Sequence, residues 1–224
     1  MSEVGSPIQV VQHPFVFRML QVIRSERIAP NMVRVTLGGD EIAGFRTDAP
    51  DDGIRLFFPA DPTDASWRPE VDGSKLVFAG GTRPPNREVT ARRYDAEAGE
   101  VDFDFVVHEG GSASTWAVNA QPGHYLGCSG PRRSRMIAGQ VDGYVLAGDE
   151  TGLPSIARRL EELPAGIPAL AIIAVSYTHL RAHETVLDIV CRLLLEKKKK
   201  IKKKKRRRQL PSHARAHVSS TCKQ

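Results

Sequence analysis

Short stretches of alternating apolar and polar side chains dominate the first 130 residues. Phe15–Arg24 (FVFRMLQVIR) and Met32–Leu37 (MVRVTL) carry β-branched and apolar residues in partial alternation, and both predict strands. Ile54–Phe58 (IRLFF) predicts a short strand stopped by Pro59, and Lys75–Ala79 (KLVFA) another before the rigid Arg83-Pro84-Pro85. Arg87–Tyr94 and Glu100–His108 predict two more, joined by Asp95–Gly99 as a hairpin loop. In the second of these, Val101, Phe103, Phe105 and Val107 alternate with Asp102, Asp104, Val106 and His108, so one face is expected to be buried. A helix over about Ala113–Ala120 ends at Pro122-Gly123, and Tyr125–Ser129 predicts the last strand of the series. Residues 1–14 read as a loose lead-in and residues 60–74 as loop. Six or seven short strands with one helix predict an antiparallel barrel, closed or partly closed.

The pattern then changes. Tyr144–Ala147 reads as a short buried strand leading into Gly148-Asp149-Glu150-Thr151-Gly152. Pro154–Leu163 has Ile156, Leu160 and Leu163 on one side and predicts an amphipathic helix, with Thr151 as its N-cap. Ala169–Val175 (ALAIIAV) follows as a fully buried strand. This is one β-α-β unit with parallel strands, too little for a complete doubly wound sheet. The expected fold is therefore mixed β and α/β: an antiparallel β-barrel domain over residues 15–137, then an incomplete α/β domain over residues 138–175.

Charge divides the chain at the same place where the pattern stops. The whole sequence has a formal net charge of +6, but residues 1–174 carry −6 and the remaining fifty carry +12. The first part uses arginine almost alone, Lys75 being its single lysine, whereas the tail is rich in lysine. Lys197–Arg208 (KKKKIKKKKRRR) is a charge run that cannot bury a core. SYTHLRAHET together with CRLLLEKKKK resembles translated sequencing-adapter DNA, which implies that residues 176–224 are a non-native, disordered basic tail. A second reading stays open, in which the run binds nucleic-acid backbones non-specifically. The acidic body offers no basic face for evolved recognition, so no specific nucleic-acid partner is expected. Cys128, Cys191 and Cys222 make no disulfide framework and no metal-type spacing. The N-terminus lacks a signal-peptide pattern, and no run is long and apolar enough to span a membrane, so a cytoplasmic location is expected.

The chemistry concentrates in Val101–Ala117 (VDFDFVVHEGGSASTWA). A strand ends in His108, breaks at Gly110-Gly111, and opens a helix through Ser112-Ala113-Ser114-Thr115-Trp116. Free N–H groups at such a helix start favour an anion, a phosphate among them.

Three segments resemble the siderophore-interacting protein family of FAD-dependent ferric-siderophore reductases, which are ferredoxin-reductase-like. In Arg83–Arg92 (RPPNREVTAR) the family pattern is Arg-Pro-x-x-Arg-x-Tyr-Thr-x-Arg, so Arg87 and Thr90 match and Val89 replaces the tyrosine. In Asp104–Ala117, His108, Gly111, Ala113, Ser114, Trp116 and Ala117 match, while Glu109 and Ser112 stand where the family has Gly and Pro. Leu146–Ile156 (LAGDETGLPSI) matches Leu-Ala-Gly-Asp-Glu-Thr-Ala-Leu-Pro-Ala-Ile with two small-residue changes.

The resemblance implies an FAD site built from Arg87, Val89, Thr90, His108, Gly111, Ser112, Ala113, Ser114, Thr115 and Trp116. Gly148, Asp149, Glu150 and Thr151 would lie where the second domain starts, near the flavin. Arg87 would clamp the pyrophosphate as a bidentate donor. His108 would contact the flavin or its ribityl phosphate, or else close its strand structurally; Trp116 would serve as core or as a stacking platform. The reaction implied passes electrons from NAD(P)H, or another reduced carrier, through FAD to a ferric siderophore and releases Fe(II). With the α/β domain cut short, impaired turnover is expected. A flavin-binding module without catalysis is the remaining alternative. Arg92, Arg93, Arg132, Arg133 and Arg135 are candidates to steer an anionic chelate.

Overall fold

A computed structural model describes residues 8–174 of the chain. Its strands are β1 (Ile8–Gln12), β2 (Phe17–Ala29), β3 (Met32–Gly38), β4 (Gly53–Phe57), β5 (Glu70–Asp72), β6 (Lys75–Val77), β7 (Asn86–Thr90), β8 (Arg93–Asp95) and β9 (Glu100–Val106). Helix α1 (Ser112–Val118) follows, then β10 (Tyr125–Ser129), β11 (Arg133–Ile137), β12 (Tyr144–Asp149), helix α2 (Leu153–Glu162) and β13 (Ala169–Ala174).

Seven strands form one antiparallel sheet in the order β7-β4-β10-β2-β3-β9-β8. The two edge strands, β7 and β8, are consecutive in sequence, and only Ala91 and Arg92 separate them. Three Cα steps of about 3.8 Å therefore set the most that can lie between the edges. The sheet has to roll up on itself, and it becomes a barrel split along a seam where no ladder joins β7 to β8. Inside it lie Leu20, Val22, Val35, Leu37, Ile54, Leu56, Val101, Phe103, Leu126 and Cys128, all essentially without exposure. Burial pushes the Cys128 thiol up to about 12, so it packs as a small inert hydrophobe. Trp116 of α1 plugs one end against Phe58 and Phe105.

The alternation in β9 is realised: Val101, Phe103 and Phe105 are buried. Its acidic residues are neutralised. Asp104 receives two hydrogen bonds from Arg34, and Asp102 receives one from Thr36 and one from Arg93. The Asp104 hydrogen bond holds the Arg34 guanidinium above its usual range. The stretch expected as one strand over Arg87–Tyr94 breaks at Ala91-Arg92 into β7 and β8, because the seam passes there. The lead-in contains β1, which pairs with β11, and the 60–74 loop contains β5, which pairs with β6. This hairpin and Trp67 cover a second apolar cluster of Phe17, Met19 and Phe57 on the barrel's outer side.

β12 and β13 pair in parallel with α2 as the crossover, as the pattern predicts, but neither is the buried strand expected: α2 covers one face and leaves Val145 and Ile172 exposed on the other. Thr151 is not the N-cap of α2. It lies in a 3₁₀ turn, Glu150–Gly152, while Asp149 accepts hydrogen bonds from the Thr151 amide and hydroxyl. The Thr151 hydroxyl, first among these donors, holds the Asp149 carboxyl below its ordinary range.

Helix α2 closes over the seam. Arg158, only 8% exposed, donates to the Ala91 carbonyl, to the Thr47 hydroxyl and carbonyl, and to Glu162. Arg92 makes a bidentate pair with Glu161, and Arg159 reaches Asp51 at 3.3 Å. A buried guanidinium with every neighbour a hydrogen-bond acceptor is costly to remove, because its partners are left dry and unpaired. Arg158→Met is expected to lower unfolding stability by about 2–4 kcal/mol in chemical denaturation; a change within about 0.5 kcal/mol would mean that α2 does not hold the seam.

Candidate functional site

Two clefts lie side by side on the barrel. The first, about 450 Å³, runs along β7 to the β9–α1 turn and on to the start of the α/β unit. Arg87, Val89, Thr90, His108, Gly111, Ala113, Ser114 and Thr151 line it, so eight of the fourteen residues expected at the site converge here from three separate segments. Arg87 sits on an edge strand and is exposed; among the described residues its guanidinium donates only to the neighbouring Asn86 carbonyl. The other N–H donors of its fork stay available for a ligand. Asp104 also faces this cleft, but its charge is spent on Arg34.

The turn between β9 and α1 has its own logic. The Ser114 hydroxyl accepts from the His108 amide at 2.9 Å and donates to the His108 carbonyl at 2.8 Å. Ser114 is therefore a buried tie that pins the strand end to the helix. His108 Nδ1 lies 3.1 Å from the Glu109 carbonyl, and the ring leans over Gly111. A Cβ at Gly111 would fall 2.8 Å from His108 Nε2 and overlap the ring, so this glycine makes room for the imidazole. Gly111 is the N-cap of α1 and gives it no side-chain cap. The Ser112 hydroxyl, at the first position of the helix, is buried with no hydrogen-bond partner among the described residues.

The remaining expected residues sit elsewhere. Trp116 belongs to the core and not to the cleft wall, because its ring fills the gap between Phe58 and Phe105. Thr115 faces outward on α1. Gly148 serves packing: a Cβ there would press on Ile156 of α2 at 3.3 Å. Asp149 and Glu150 shape the turn that brings Thr151 to the cleft.

The second cleft, about 930 Å³, is larger and basic. Lys75, Arg55, Arg83, Arg132, Arg133 and Arg135 line it, with Asp51, Asp52 and Glu88 as its acidic members. Arg132 is held in place by the Ser74 carbonyl at 2.7 Å and by the Phe15 ring at 4.7 Å. Of the five arginines read as steering residues, Arg132, Arg133 and Arg135 are here. Arg92 and Arg93 are not: they are paired with Glu161, Asp102 and Asp95. Arg55, Arg83 and Lys75 escaped sequence reasoning, since they come from segments that only the barrel brings together. The clefts share a wall formed by Asp51, Gly53 and Glu88.

A dinucleotide with a pyrophosphate fits the first cleft by the chemistry of its donors: the Arg87 guanidinium, in no ion pair among the described residues, and a helix start without a side-chain cap. Ser112, whose hydroxyl is buried without a partner, is not among the residues lining the cleft. Residues 21–135 match the family model for the siderophore-interacting FAD-binding domain, and residues 141–221 that for siderophore-interacting protein. The second match runs across the tail set apart by composition, and that tail lies outside the described residues. The chain is 40% identical to the NADPH-dependent ferric-chelate reductase of Escherichia coli over 69% of its own length and 60% of that protein's. It is 35% identical to the ferric vibriobactin reductase ViuB of Vibrio cholerae over 66% of its length and 55% of the relative's. It thus spans a little over half the length of these relatives. A siderophore utilization protein from T. fusca superposes with a TM-score of 0.68 at 38% identity, over 79% of this chain and 69% of that one.

Gly111→Ala is expected to push the His108 ring out of the cleft. In NMR spectra of histidine side chains, the His108 resonances should move while those of His13, tied to Ser134 on another part of the barrel, hold still. Unchanged His108 signals would show that the ring does not depend on this glycine.

Proposed function

Since the chain belongs to the siderophore-interacting protein family, with the FAD-binding domain of that family at residues 21–135, we propose that it reduces ferric siderophores through bound FAD. The carrying observation is the shared wall: an anion-accepting cleft fit for a dinucleotide adjoins a basic cleft of a size to take a metal chelate. We assign residues 15–137 to the flavin domain and residues 138–175 to the start of the nicotinamide domain. NAD(P)H, or another reduced carrier, is the electron donor in this reading. The barrel and its seam-closing helix make the flavin site, and delivery of electrons to it depends on the second domain.

When bound, FAD supplies the electron-transfer chemistry, and the protein supplies binding and orientation. Arg87 clamps the pyrophosphate; Thr90, on the opposite face of β7 beside Gly53, lines the cleft from the other side of the strand. Val89, where the family has tyrosine, leaves that stretch of the cleft without a ring to stack on. His108, propped over Gly111, closes the end of the cleft nearest α1. In the second cleft the arginines and Lys75 attract an anionic chelate and hold it against the wall. Fe(III) is bound by hard oxygen donors far more tightly than Fe(II), so reduction loosens the iron and releases it. Among the described residues no cluster of three His, Cys, Asp or Glu side chains could hold an ion. Nor is any described helix long and apolar enough to cross a membrane. We place the protein in the cytoplasm, with a ferric siderophore as substrate and no specific nucleic-acid partner.

The purified full chain should take up FAD and turn yellow. Arg87→Gln should weaken FAD affinity by at least about tenfold, the loss of a charge-assisted hydrogen bond to phosphate. A chain that shows no flavin absorbance and takes up no added FAD would overturn the proposal at its first step.

A further inference from the structure

The residue standing between the two clefts is acidic. In the β4–β7 ladder Glu88 lies directly opposite Arg55, and Gly53 opposite Thr90. The period of two puts Gly53, Arg55, Glu88 and Thr90 on one face of the sheet. Arg55 Nη2 donates to Glu88 Oε2 at 3.0 Å. The same carboxylate lies across the bare backbone of Gly53: a Cβ there would fall 2.8 Å from Glu88 Cδ and overlap one carboxylate oxygen. The wall between the clefts at this point is therefore a side chain resting in a notch.

The pair is open to solvent, with the side chains of Arg55 and Glu88 44% and 61% exposed. Such a pair adds little to stability and is easily exchanged for another partner. The other carboxylates of the basic cleft are otherwise engaged. Asp52 is buried and accepts from the Ala49 amide and the Ser134 hydroxyl, and Asp51 is held by Arg159. Glu88 alone among the three is paired with one of the cleft's own cations.

We propose that Glu88 sets the charge specificity of the basic cleft and gates its wall. Without ligand it holds Arg55 and covers Gly53; an anionic metal chelate takes Arg55 from it, and the released carboxylate leaves the notch open toward the neighbouring cleft. A neutral chelate has no charge with which to compete and leaves the pair closed. This inference rests on the reading of the clefts as chelate and flavin sites, and it adds to that reading the residue that discriminates among chelates.

The test uses the full chain saturated with FAD and two probes of opposite character, trianionic ferric tris-catecholate and a neutral ferric tris-hydroxamate. Binding is followed by quenching of tryptophan fluorescence at low and high salt. Glu88→Gln keeps the shape and removes the charge. It should bind the anionic probe about three- to tenfold more tightly at low salt, an advantage that shrinks at high salt, and bind the neutral probe as the wild type does. Gly53→Ala keeps the charge and fills the notch. It should shift anionic binding in the same direction, with no further gain when combined with Glu88→Gln. Equal affinities of wild type and Glu88→Gln for the anionic probe, or a gain that is the same for both probes, would overturn the role of Glu88 and leave the chelate site standing. Failure of the wild type to bind either probe would overturn both.

Discussion

A sheet whose first and last strands are separated by two residues must be rolled, and rolling leaves a seam that no ladder of backbone hydrogen bonds can close. Arg158 closes it from outside. Its guanidinium enters a site with almost no water, where the Ala91 carbonyl at the seam and both Thr47 oxygens receive its protons. Arg92 and Glu161 add a second bond beside it. The barrel and the β12–α2–β13 unit are thus joined where the barrel is weakest. The cleft that takes Arg87 from β7 and Thr151 from the turn before α2 exists only because this joint holds the two together.

The clefts inherit their form from that geometry. β7 is an edge strand because the seam is there; Arg87 pairs with Leu56 of β4 on one side, and its exposed side chain lines the first cleft. Among the described residues β4 is the one sheet neighbour of β7, and the Gly53 notch in β4 lets Glu88 rest in the wall that the two cavities share. At the other end, the Ser114 tie to both backbone groups of His108 fixes where the strand stops and the helix starts. Neutral ties such as Ser114 and neutralised charges such as Asp104 leave Arg87 as an uncommitted cation facing the first cleft. The arrangement suits an anion whose phosphate lies at β7.

What the sequence disclosed depends on whether a residue's role is local. The alternation in β9 is strict because one face is fully buried, and its strand was legible from spacing alone. β1, β5 and β11 were not, since they are short and largely exposed and so carry little alternation of burial. The break at Ala91-Arg92 has no glycine or proline to announce it; it follows from the closure of the sheet. At the site, the family-like motifs named Arg87, Thr90, His108 and Gly111, and the structure brings these four to one cleft. They did not distinguish Ser114 as a backbone tie or Trp116 as core, because matching residues say where a motif is and not which atoms face a ligand. The basic cleft was harder still. Arg55, Lys75 and Arg83 join Arg132 there from separate stretches of the chain, and nothing local in the sequence brings them together.

In the proposed reaction electrons pass from FAD in the first cleft to a chelate in the second, across the Gly53–Glu88 wall. This transfer is tested by reducing the FAD-loaded chain chemically without oxygen, then mixing it with a ferric chelate in a stopped-flow instrument and following flavin absorbance. Because the reductant replaces the nicotinamide domain, the result reports on the two clefts alone. Reoxidation is expected at a rate that saturates with chelate concentration, together with release of Fe(II). A flavin that stays reduced, or reoxidises at a rate that rises without limit as in a simple collision, would contradict the proposed transfer.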